Sequence, residues 1–264
     1  MRIFTDQLNR NVILETLPKK IISLVPSQTE LLYSFGLDEQ VAGITKFCIH
    51  PSSWFQSKTK IGGTKTLNLE LIDSIAPDLI IANKEENVEE QIETLSKKFP
   101  VWISDVNDLN SALAMIRSVG EMVELPDKAA KLSEKIQSCF DEITIPDTKY
   151  RTAYLVWQNP YMTIGGDTFI NDMMKRCGFI NVFRDMSRYP PVTSEQLIQY
   201  NCELLLLSSE PYPFKEKHIE DLQKNLPHTR IELVDGEMFS WYGSRLLKSP
   251  SYFKSLIGKL LLGL

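Results

Sequence analysis

Features that mark membrane-spanning and exported chains are missing from this sequence. No apolar run approaches the roughly 18 residues that a membrane-spanning helix needs. Residues 1–25 lack the unbroken apolar stretch of roughly 7–15 residues found in secretory signal peptides. The first cysteine is Cys48, too far along the chain for a lipid-anchor cysteine near the start. The sequence as it stands predicts a cytoplasmic location without membrane insertion, or a periplasmic location if a signal segment precedes it.

Basic residues are not in excess, and cysteines are few. The 29 Lys and Arg residues against 34 Asp and Glu residues give a net charge of −5, which argues against a nucleic-acid partner. The four cysteines share no C-x-x-C spacing, so we expect free thiols. Gly62-Gly63 and Gly165-Gly166 are isolated pairs, so no phosphate-cradling glycine signature is present.

What the sequence does have is a regular alternation of short apolar runs and capped helical segments. Strands are predicted over residues 21–25, 41–45, 79–82, 101–103, 152–157, 180–183, 204–207 and 230–234. Helices are predicted over residues 28–35, 69–75, 88–98, 109–123, 127–143, 168–176, 193–199, 215–225 and 244–262. Their predicted caps are the capping box at residues 27–30, Asn68, Asp167, and Thr193 with Gln196. This alternation predicts parallel sheets covered by helices.

The second half of the chain repeats the first. NLELIDSIAPDLIIA at residues 68–82 matches TSEQLIQYNCELLLLSS at 193–209 as one unit. No Gly/Ser/Pro-rich linker separates the halves. The predicted fold class is therefore α/β, with two Rossmann-like lobes built on parallel sheets and a ligand cleft between them. The N-terminal lobe covers residues 1–125, a long rigid connecting helix covers 126–143, and the C-terminal lobe covers 144–264.

Loops that follow the predicted strands are the expected ligand site, because ligands bind beyond the carboxyl ends of strands in open parallel sheets. These loops are rich in aromatic residues, which are Phe47, Tyr161, Tyr189, Tyr212, Trp241 and Tyr242. They also carry basic residues, which are Lys46, Lys65, Lys84, Arg188 and Arg245. The mixture suits a wide, flat, partly anionic ligand through ring contact and cation pairing. The alternative is that these lysines are solvated and that the aromatics cap the core.

The segments LVPSQTELLYSFGL, VAGI, GGT, NLELI and PDLIIA resemble the helical-backbone (class III) substrate-binding proteins of ABC transporters, in particular their vitamin B12-binding branch. The resemblance covers residues 15–262. It implies two lobes bridged by one long helix, and ligands such as cobalamin, ferric siderophores, haem or metal ions. Aromatic ligand contacts of the B12-binding branch fall on Thr64, Asn83, His50, Tyr189 and Met162. An acid and an arginine near the end of the chain fall on Glu237 and Trp241, with Arg245 one turn further on.

Two acids occupy equivalent places in the two repeats. Glu70 lies two residues after the cap Asn68, and Glu195 lies two residues after the cap Thr193. Acids are common in first helical turns for stability alone. The resemblance implies that this pair docks onto arginines of a dimeric permease.

These observations predict the substrate-binding protein of an ABC importer, with no catalytic residues. It captures a bulky metal chelate, corrinoid first and ferric siderophore or haem next. No cofactor is required, a monomer is expected, and no bare-metal site is expected. His50 is the candidate axial ligand of a bound chelate, while the remaining histidines, His218 and His228, lie in surface-like segments. One alternative is a cytosolic ligand buffer or sensor of the same fold, and another is an enzyme that uses Cys48 and His50.

Overall fold

The computed structural model of the chain describes residues 1–145, 147 and 149–262. Pro146, Thr148, Gly263 and Leu264 of the predicted C-terminal lobe lie outside the described residues. The chain divides into two compact units. Unit 1 comprises Met1–Val106, Asn110–Ile136 and Tyr242–Arg245, and unit 2 comprises Asn107–Leu109, Gln137–Trp241 and Leu246–Leu264.

Unit 1 is built on a five-stranded parallel sheet. Its strands are β3 (Ile21–Ser23), β4 (Val41–Ile44), β5 (Thr59–Lys60), β6 (Leu79–Asn83) and β7 (Val101–Ser104), in the order β5-β4-β3-β6-β7. Every residue of β6 and β7 is buried, as expected for parallel strands covered on both faces. Ile22, Ile80 and Ala82 alternate along their strands and so share one face. On that face they form one core cluster with Ile72 and Ile92 from the covering helices.

An antiparallel hairpin that we did not predict precedes this sheet. Strands β1 (Arg2–Thr5) and β2 (Asn11–Leu14) pair with each other. The hairpin is tied to β7, since the Gln7 amide donates to the Ile103 carbonyl at 3.1 Å and the Trp102 indole donates to the Thr5 carbonyl at 3.3 Å. An isolated hairpin is marginal in water, so the edge of the sheet stabilises it.

The helices of unit 1 are α1 (Pro26–Ser34), α2 (Ser52–Ser57), α3 (Leu69–Ile75) and α4 (Glu89–Ser96), together with most of α5 (Leu109–Met122) and of α6 (Pro126–Asp141). The predicted capping box at residues 27–30 is wrong, because α1 starts two residues earlier, with Val25 as its N-cap and a proline in its first turn. The predicted cap of α3 is confirmed, with the Asn68 side chain accepting from the Leu71 amide at 3.0 Å.

Helices α5 and α6 pack closely near their connection. A Cβ atom at Gly120 would lie 2.2 Å from the Cβ of Ala129, so only glycine permits this approach. The boundary between the two units falls inside α6, after Ile136. Helix α6 occupies most of the predicted connecting segment and ends at Asp141.

Unit 2 repeats the topology of unit 1, which confirms the duplication in the sequence. Its strands are β8 (Arg151–Leu155), β9 (Ile180–Asn181), β10 (Leu204–Ser208) and β11 (Arg230–Val234). They form a parallel sheet in the order β9-β8-β10-β11, which corresponds to β4-β3-β6-β7 of unit 1. The helices are α7 (Phe169–Arg176), α8 (Ser194–Gln199), α9 (Glu216–Asn225), α10 (Gly236–Ser240) and α11 (Ser249–Leu262). A 3-10 turn at Ser244–Leu247 has its first two residues in unit 1 and its last two in unit 2. The predicted α/β class with two parallel sheets is confirmed.

The N-caps of unit 2 agree with the sequence at one helix and differ at another. The Asp167 cap predicted for α7 is wrong, because Thr168 is the N-cap and accepts from the Asn171 amide at 3.3 Å. The Asp167 carboxylate instead accepts from the Arg188 amide at 2.6 Å. Thr193 and Gln196 form the predicted capping box of α8.

Removing the cap of α8 is expected to destabilise the protein modestly. In Thr193→Ala, the Gln196 amide loses its hydroxyl acceptor, and we expect the free energy of unfolding to fall by about 1 kcal/mol. Urea unfolding followed by circular dichroism measures this change. The Thr193→Ser variant keeps the acceptor and serves as the control. A loss as large in Thr193→Ser would mean that the methyl group, and not the cap, carries the stability.

Candidate functional site

Loop 45–51, after β4, places exposed side chains at the carboxyl edge of the sheet in unit 1. Phe47 is 51% exposed, and the Lys46 ammonium lies 5.2 Å from the centroid of its ring. The loop is attached to the segment after β5, since the Lys46 amide donates to the Gly62 carbonyl at 2.8 Å. Phe47 therefore presents an aromatic surface to solvent, beside the cationic side chain of Lys46.

His50 and Cys48 of the same loop have different surroundings. His50 is half-buried, whereas Cys48 is fully buried. The Cys48 thiol contacts the hydroxyl groups of Thr29 and Thr45 at 3.1 and 3.2 Å. Burial raises the pKa of this thiol, which opposes formation of the reactive thiolate. All four cysteines, Cys48, Cys139, Cys177 and Cys202, are free as predicted.

Thr64 and Lys65 lie in the loop after β5, which is fastened to the loop after β6. The Asn87 amide group donates to the Thr64 carbonyl at 3.1 Å, and the Lys65 ammonium donates to the Glu85 carbonyl at 2.6 Å. Thr64 is half-buried and Lys65 is exposed. These contacts fix the backbone of both loops side by side.

Asn83 and Lys84 end β6 but have opposite environments. Asn83 is buried, its amide group donates to the Ser104 hydroxyl at 3.0 Å, and its carbonyl accepts from the amides of Glu85 and Glu86. The side chain of Asn83 therefore shapes the loop that follows it. Lys84 is exposed and forms an ion pair with Asp105 at 2.6 Å.

In unit 2, the loop after β8 carries a group of aromatic side chains. Trp157 is 41% exposed and packs edge-on against Tyr212, with ring centroids 5.7 Å apart. Tyr161 and Met162 are half-buried in the same loop. Sequence reasoning missed Trp157 because it was taken as the last residue of the strand, which in fact ends at Leu155.

A partly buried chain of hydrogen bonds supports this group. The Lys215 amide donates to His218 Nδ1 at 2.8 Å, and His218 Nε2 lies 3.3 Å from the Tyr212 hydroxyl. The Tyr212 hydroxyl in turn donates to the Gln158 side chain at 2.5 Å. The expectation that His218 lies at the surface is wrong, since it is 4% exposed. His218 thus fixes the position of Tyr212, the ring against which Trp157 packs.

The segment after β9 lies against the Gly165-Gly166 pair. The Gly166 amide donates to the Met186 carbonyl at 2.9 Å, and a Cβ atom at Gly166 would lie 2.0 Å from the Arg184 carbonyl oxygen. The glycine pair thus brings the two loops together. Arg188 is half-buried, donates to the carbonyl of Asp167 at 3.1 Å and lies 5.8 Å from the ring centroid of Tyr189.

Glu210 links the loops after β10 and β11. Its carboxylate accepts from the Ser240 hydroxyl and from the Trp241 indole, both at 2.8 Å. Burial raises the pKa of Glu210, and the nearby Glu237 carboxylate acts in the same direction. Trp241 is 6% exposed, so its indole is occupied in positioning these loops. Glu237 is half-buried in the first turn of α10.

Tyr242 and Arg245 belong to unit 1, although the chain on either side belongs to unit 2. The Tyr242 hydroxyl donates to Glu86 at 3.0 Å, and the Arg245 guanidinium forms an ion pair with Glu30 at 2.9 Å. Both side chains are buried, and burial raises the pKa of Tyr242 well above its usual value. These two contacts fasten the segment Tyr242–Arg245 to unit 1.

The two predicted docking acids are exposed on equivalent helices. Glu70 lies in the first turn of α3 and Glu195 in the first turn of α8. The Thr193 hydroxyl beside Glu195 holds the pKa of that carboxyl below its usual value, so Glu195 stays ionised at neutral pH. In the described part of the chain, no three His, Cys, Asp or Glu side chains converge to bind a metal ion. Over the same residues, no helix is long and apolar enough to cross a membrane.

Two α/β units, each with a parallel sheet whose carboxyl edge carries exposed aromatic and polar side chains, define a class of two-unit solute-binding proteins. Residues 21–229 match the sequence model of the periplasmic binding protein family, and the chain belongs to that family. The family comprises solute-binding proteins of transporters and not enzymes. The alternative of an enzyme that uses Cys48 and His50 is therefore wrong.

Named relatives extend this similarity over most of the chain. An ABC transporter substrate-binding lipoprotein, YvrC of Bacillus subtilis, is 26% identical over 92% of this chain and 81% of its own length. A vitamin B12-binding protein of Pectobacterium atrosepticum is 24% identical over 92% of this chain and 90% of its own length. The periplasmic heme-binding protein HutB of Vibrio cholerae shares the fold, with a TM-score of 0.77 and 20% identity over 90% of this chain and 98% of that one.

Proposed function

We propose that this protein is the substrate-binding subunit of an ABC importer and that it captures a bulky metal chelate. The exposed rings of Phe47 and Trp157, at the carboxyl edges of the two sheets, are the observation that carries this proposal. Large aromatic side chains left in solvent at loops built on a rigid sheet are typical of ligand contacts. A planar macrocycle or an iron chelate offers the broad apolar surface that such rings bury.

Corrinoids are the first ligand class, with ferric siderophores and haem next. The names of the similar proteins support this order, because one is a vitamin B12-binding protein and another binds heme. The chelate is cargo, and the protein needs no resident cofactor. The basic residues are weaker evidence for an anionic ligand than their number suggests. Two of them already have partners within the protein, since Lys84 contacts Asp105 and Arg188 contacts Asp167.

The proposed ligand contacts are the accessible members of the predicted set together with Trp157. They are Lys46, Phe47, His50, Thr64, Lys65, Lys84, Trp157, Tyr161, Met162, Arg188, Tyr189 and Glu237. Four predicted residues, Asn83, Trp241, Tyr242 and Arg245, are buried and bonded within the protein, and we assign them to holding the loops. The proposal thus separates residues that touch the ligand from residues that shape the loops around it.

The proposed partner is an ABC permease dimer. A monomer of this protein binds it through Glu70 and Glu195. Both carboxylates are exposed, and each follows its helix cap at the same spacing. Because relatives are periplasmic or lipoprotein binding proteins, we propose that this protein also works at the outer side of the cytoplasmic membrane. Cell fractionation with an antibody to the protein tests that location, and recovery with the cytosolic fraction would favour the ligand-buffer alternative.

Titration with a panel of chelates tests the proposed ligand class. We expect at least one of cobalamin, cobinamide, haemin or a ferric siderophore to bind with a Kd below about 10 μM, which is roughly 7 kcal/mol of binding free energy. Quenching of tryptophan fluorescence, with Trp157 beside the ligand, measures the affinity. The Trp157→Ala and Phe47→Ala variants should each weaken binding by about 10-fold. If no chelate reaches 10 μM, the ligand class is wrong.

His50 receives a separate spectroscopic test. If it supplies an axial nitrogen to the metal of a bound corrinoid or haem, His50→Ala shifts the visible absorption bands of the complex. The His228→Ala variant, which changes an exposed histidine far along the chain from the loop, is the control. An unchanged spectrum in His50→Ala removes His50 as a metal ligand and leaves the ring contacts unaffected.

A further inference from the structure

Helix α8 carries an exposed isoleucine beside the proposed docking acid. Ile198 follows Glu195 by three residues, so the two side chains are neighbours on one face of the helix. Ile198 is 56% exposed. Leu197, by contrast, is buried in the core of unit 2. The outer face of α8 therefore combines a carboxylate with an apolar surface.

The equivalent face of α3 in unit 1 is chemically different. Glu70 corresponds to Glu195, so Asp73 takes the place of Ile198. Asp73 forms an ion pair with Lys98, so its carboxylate already has a cationic partner within unit 1. Unit 1 offers an acid beside an ion pair, whereas unit 2 offers an acid beside an isoleucine.

Local stability does not account for the isoleucine. The complete capping box begins α8, and Leu197 supplies its core contact, so Ile198 takes part in neither. An exposed apolar side chain next to an ionised acid fits a partner surface that has a cationic group beside an apolar pocket. Apolar contact around an ion pair excludes water and makes the pair an effective anchor in an interface.

We propose that Ile198 is an apolar anchor for the permease, seated in a pocket beside the cationic side chain that pairs with Glu195. Unit 1 then docks through the charge of Glu70 without an apolar anchor. This inference rests on the proposed importer function, and it adds an asymmetry that the paired acids alone do not have. The partner is a permease subunit whose docking surface presents an arginine or lysine next to an apolar depression.

Binding to the cognate ABC permease, reconstituted in lipid nanodiscs and followed by surface plasmon resonance, tests the anchor. We expect Ile198→Ala to weaken binding by about 5-fold and Ile198→Asp by at least about 30-fold. Ile13→Asp is the matched control, because Ile13 is 46% exposed on β2 of unit 1, away from both docking helices in the sequence. It should bind the permease as the wild type does. Chelate affinity and the urea unfolding midpoint should be unchanged in all three variants.

The salt dependence of permease binding distinguishes the loss of an apolar contact at Ile198 from an indirect effect on the docking acids. Ile198→Ala should lower affinity without changing the dependence on salt, whereas Glu195→Gln should reduce that dependence. Wild-type affinity in both Ile198 variants, with docking still abolished by Glu70→Lys/Glu195→Lys, overturns the anchor and leaves the importer function standing. Docking that survives the double charge reversal overturns the pairing of Glu195 with a cation on which the anchor rests, whereas a wild type that binds no permease overturns both the anchor and the importer function.

Discussion

Reversing the charge of both docking acids is expected to abolish transport without affecting ligand capture. In the Glu70→Lys/Glu195→Lys variant, each lysine faces the cationic group that its glutamate would have paired with. Two lost interfacial ion pairs, at about 1.5 kcal/mol each, weaken docking by about 3 kcal/mol, or more than about 100-fold. Uptake of the radiolabelled chelate by cells should fall to background, while the Kd of the purified protein for the same chelate stays unchanged.

A control variant carries two charge reversals in the first turns of two other helices. Glu89 and Glu216 are exposed acids in the first turns of α4 and α9, one in each unit. The Glu89→Lys/Glu216→Lys variant therefore experiences the same loss of helix-dipole stabilisation, about 0.3–1 kcal/mol per site. Normal uptake in this control and none in the docking variant identifies an interface. Normal uptake in both variants would mean that Glu70 and Glu195 only stabilise their helices.

Adding one methyl group at Gly166 is expected to cause the largest loss of stability among the substitutions considered. In Gly166→Ala, the new Cβ would lie 2.0 Å from the Arg184 carbonyl oxygen and 2.9 Å from the carbonyl carbon. Both atoms belong to the backbone, so no side-chain rotation relieves the overlap. We expect the free energy of unfolding to fall by about 3 kcal/mol, at the upper end of typical overpacking costs. Urea denaturation measures the loss.

A second glycine provides the control for this substitution. A Cβ at Gly258, within α11, would meet no atom within 4 Å. Gly258→Ala should raise stability by about 0.5–1 kcal/mol, because alanine restricts the unfolded chain and favours the helix. Gly166→Ala should also weaken chelate binding, since it separates the loops that hold Tyr161 and Tyr189. Wild-type stability in Gly166→Ala would mean that the two loops are not packed as described.

The succession of strands and helices along the chain and the duplicated fold could be predicted from the sequence, because their signals are local. Each apolar run lies between turn and cap residues, and caps such as Asn68 and Thr193 act on amides within three residues. Two caps were wrong for a related reason. Ser27 and Asp167 have side chains that suit a cap, but α1 begins two residues before the predicted position and α7 begins one residue after it. The exact start of a helix therefore could not be predicted from the cap residue types alone.

The sequence by itself determined which loops lie at the carboxyl edges of the two sheets, and it identified most of the aromatic and polar residues those loops carry. Only the tertiary structure decided which of these side chains are accessible. Arg245 was predicted to contact ligand, yet it pairs with Glu30, 215 residues away along the chain. Trp157 was not predicted, yet it is exposed. The exposure of a side chain depends on which distant segments of the chain pack against it. A local sequence pattern does not contain that information.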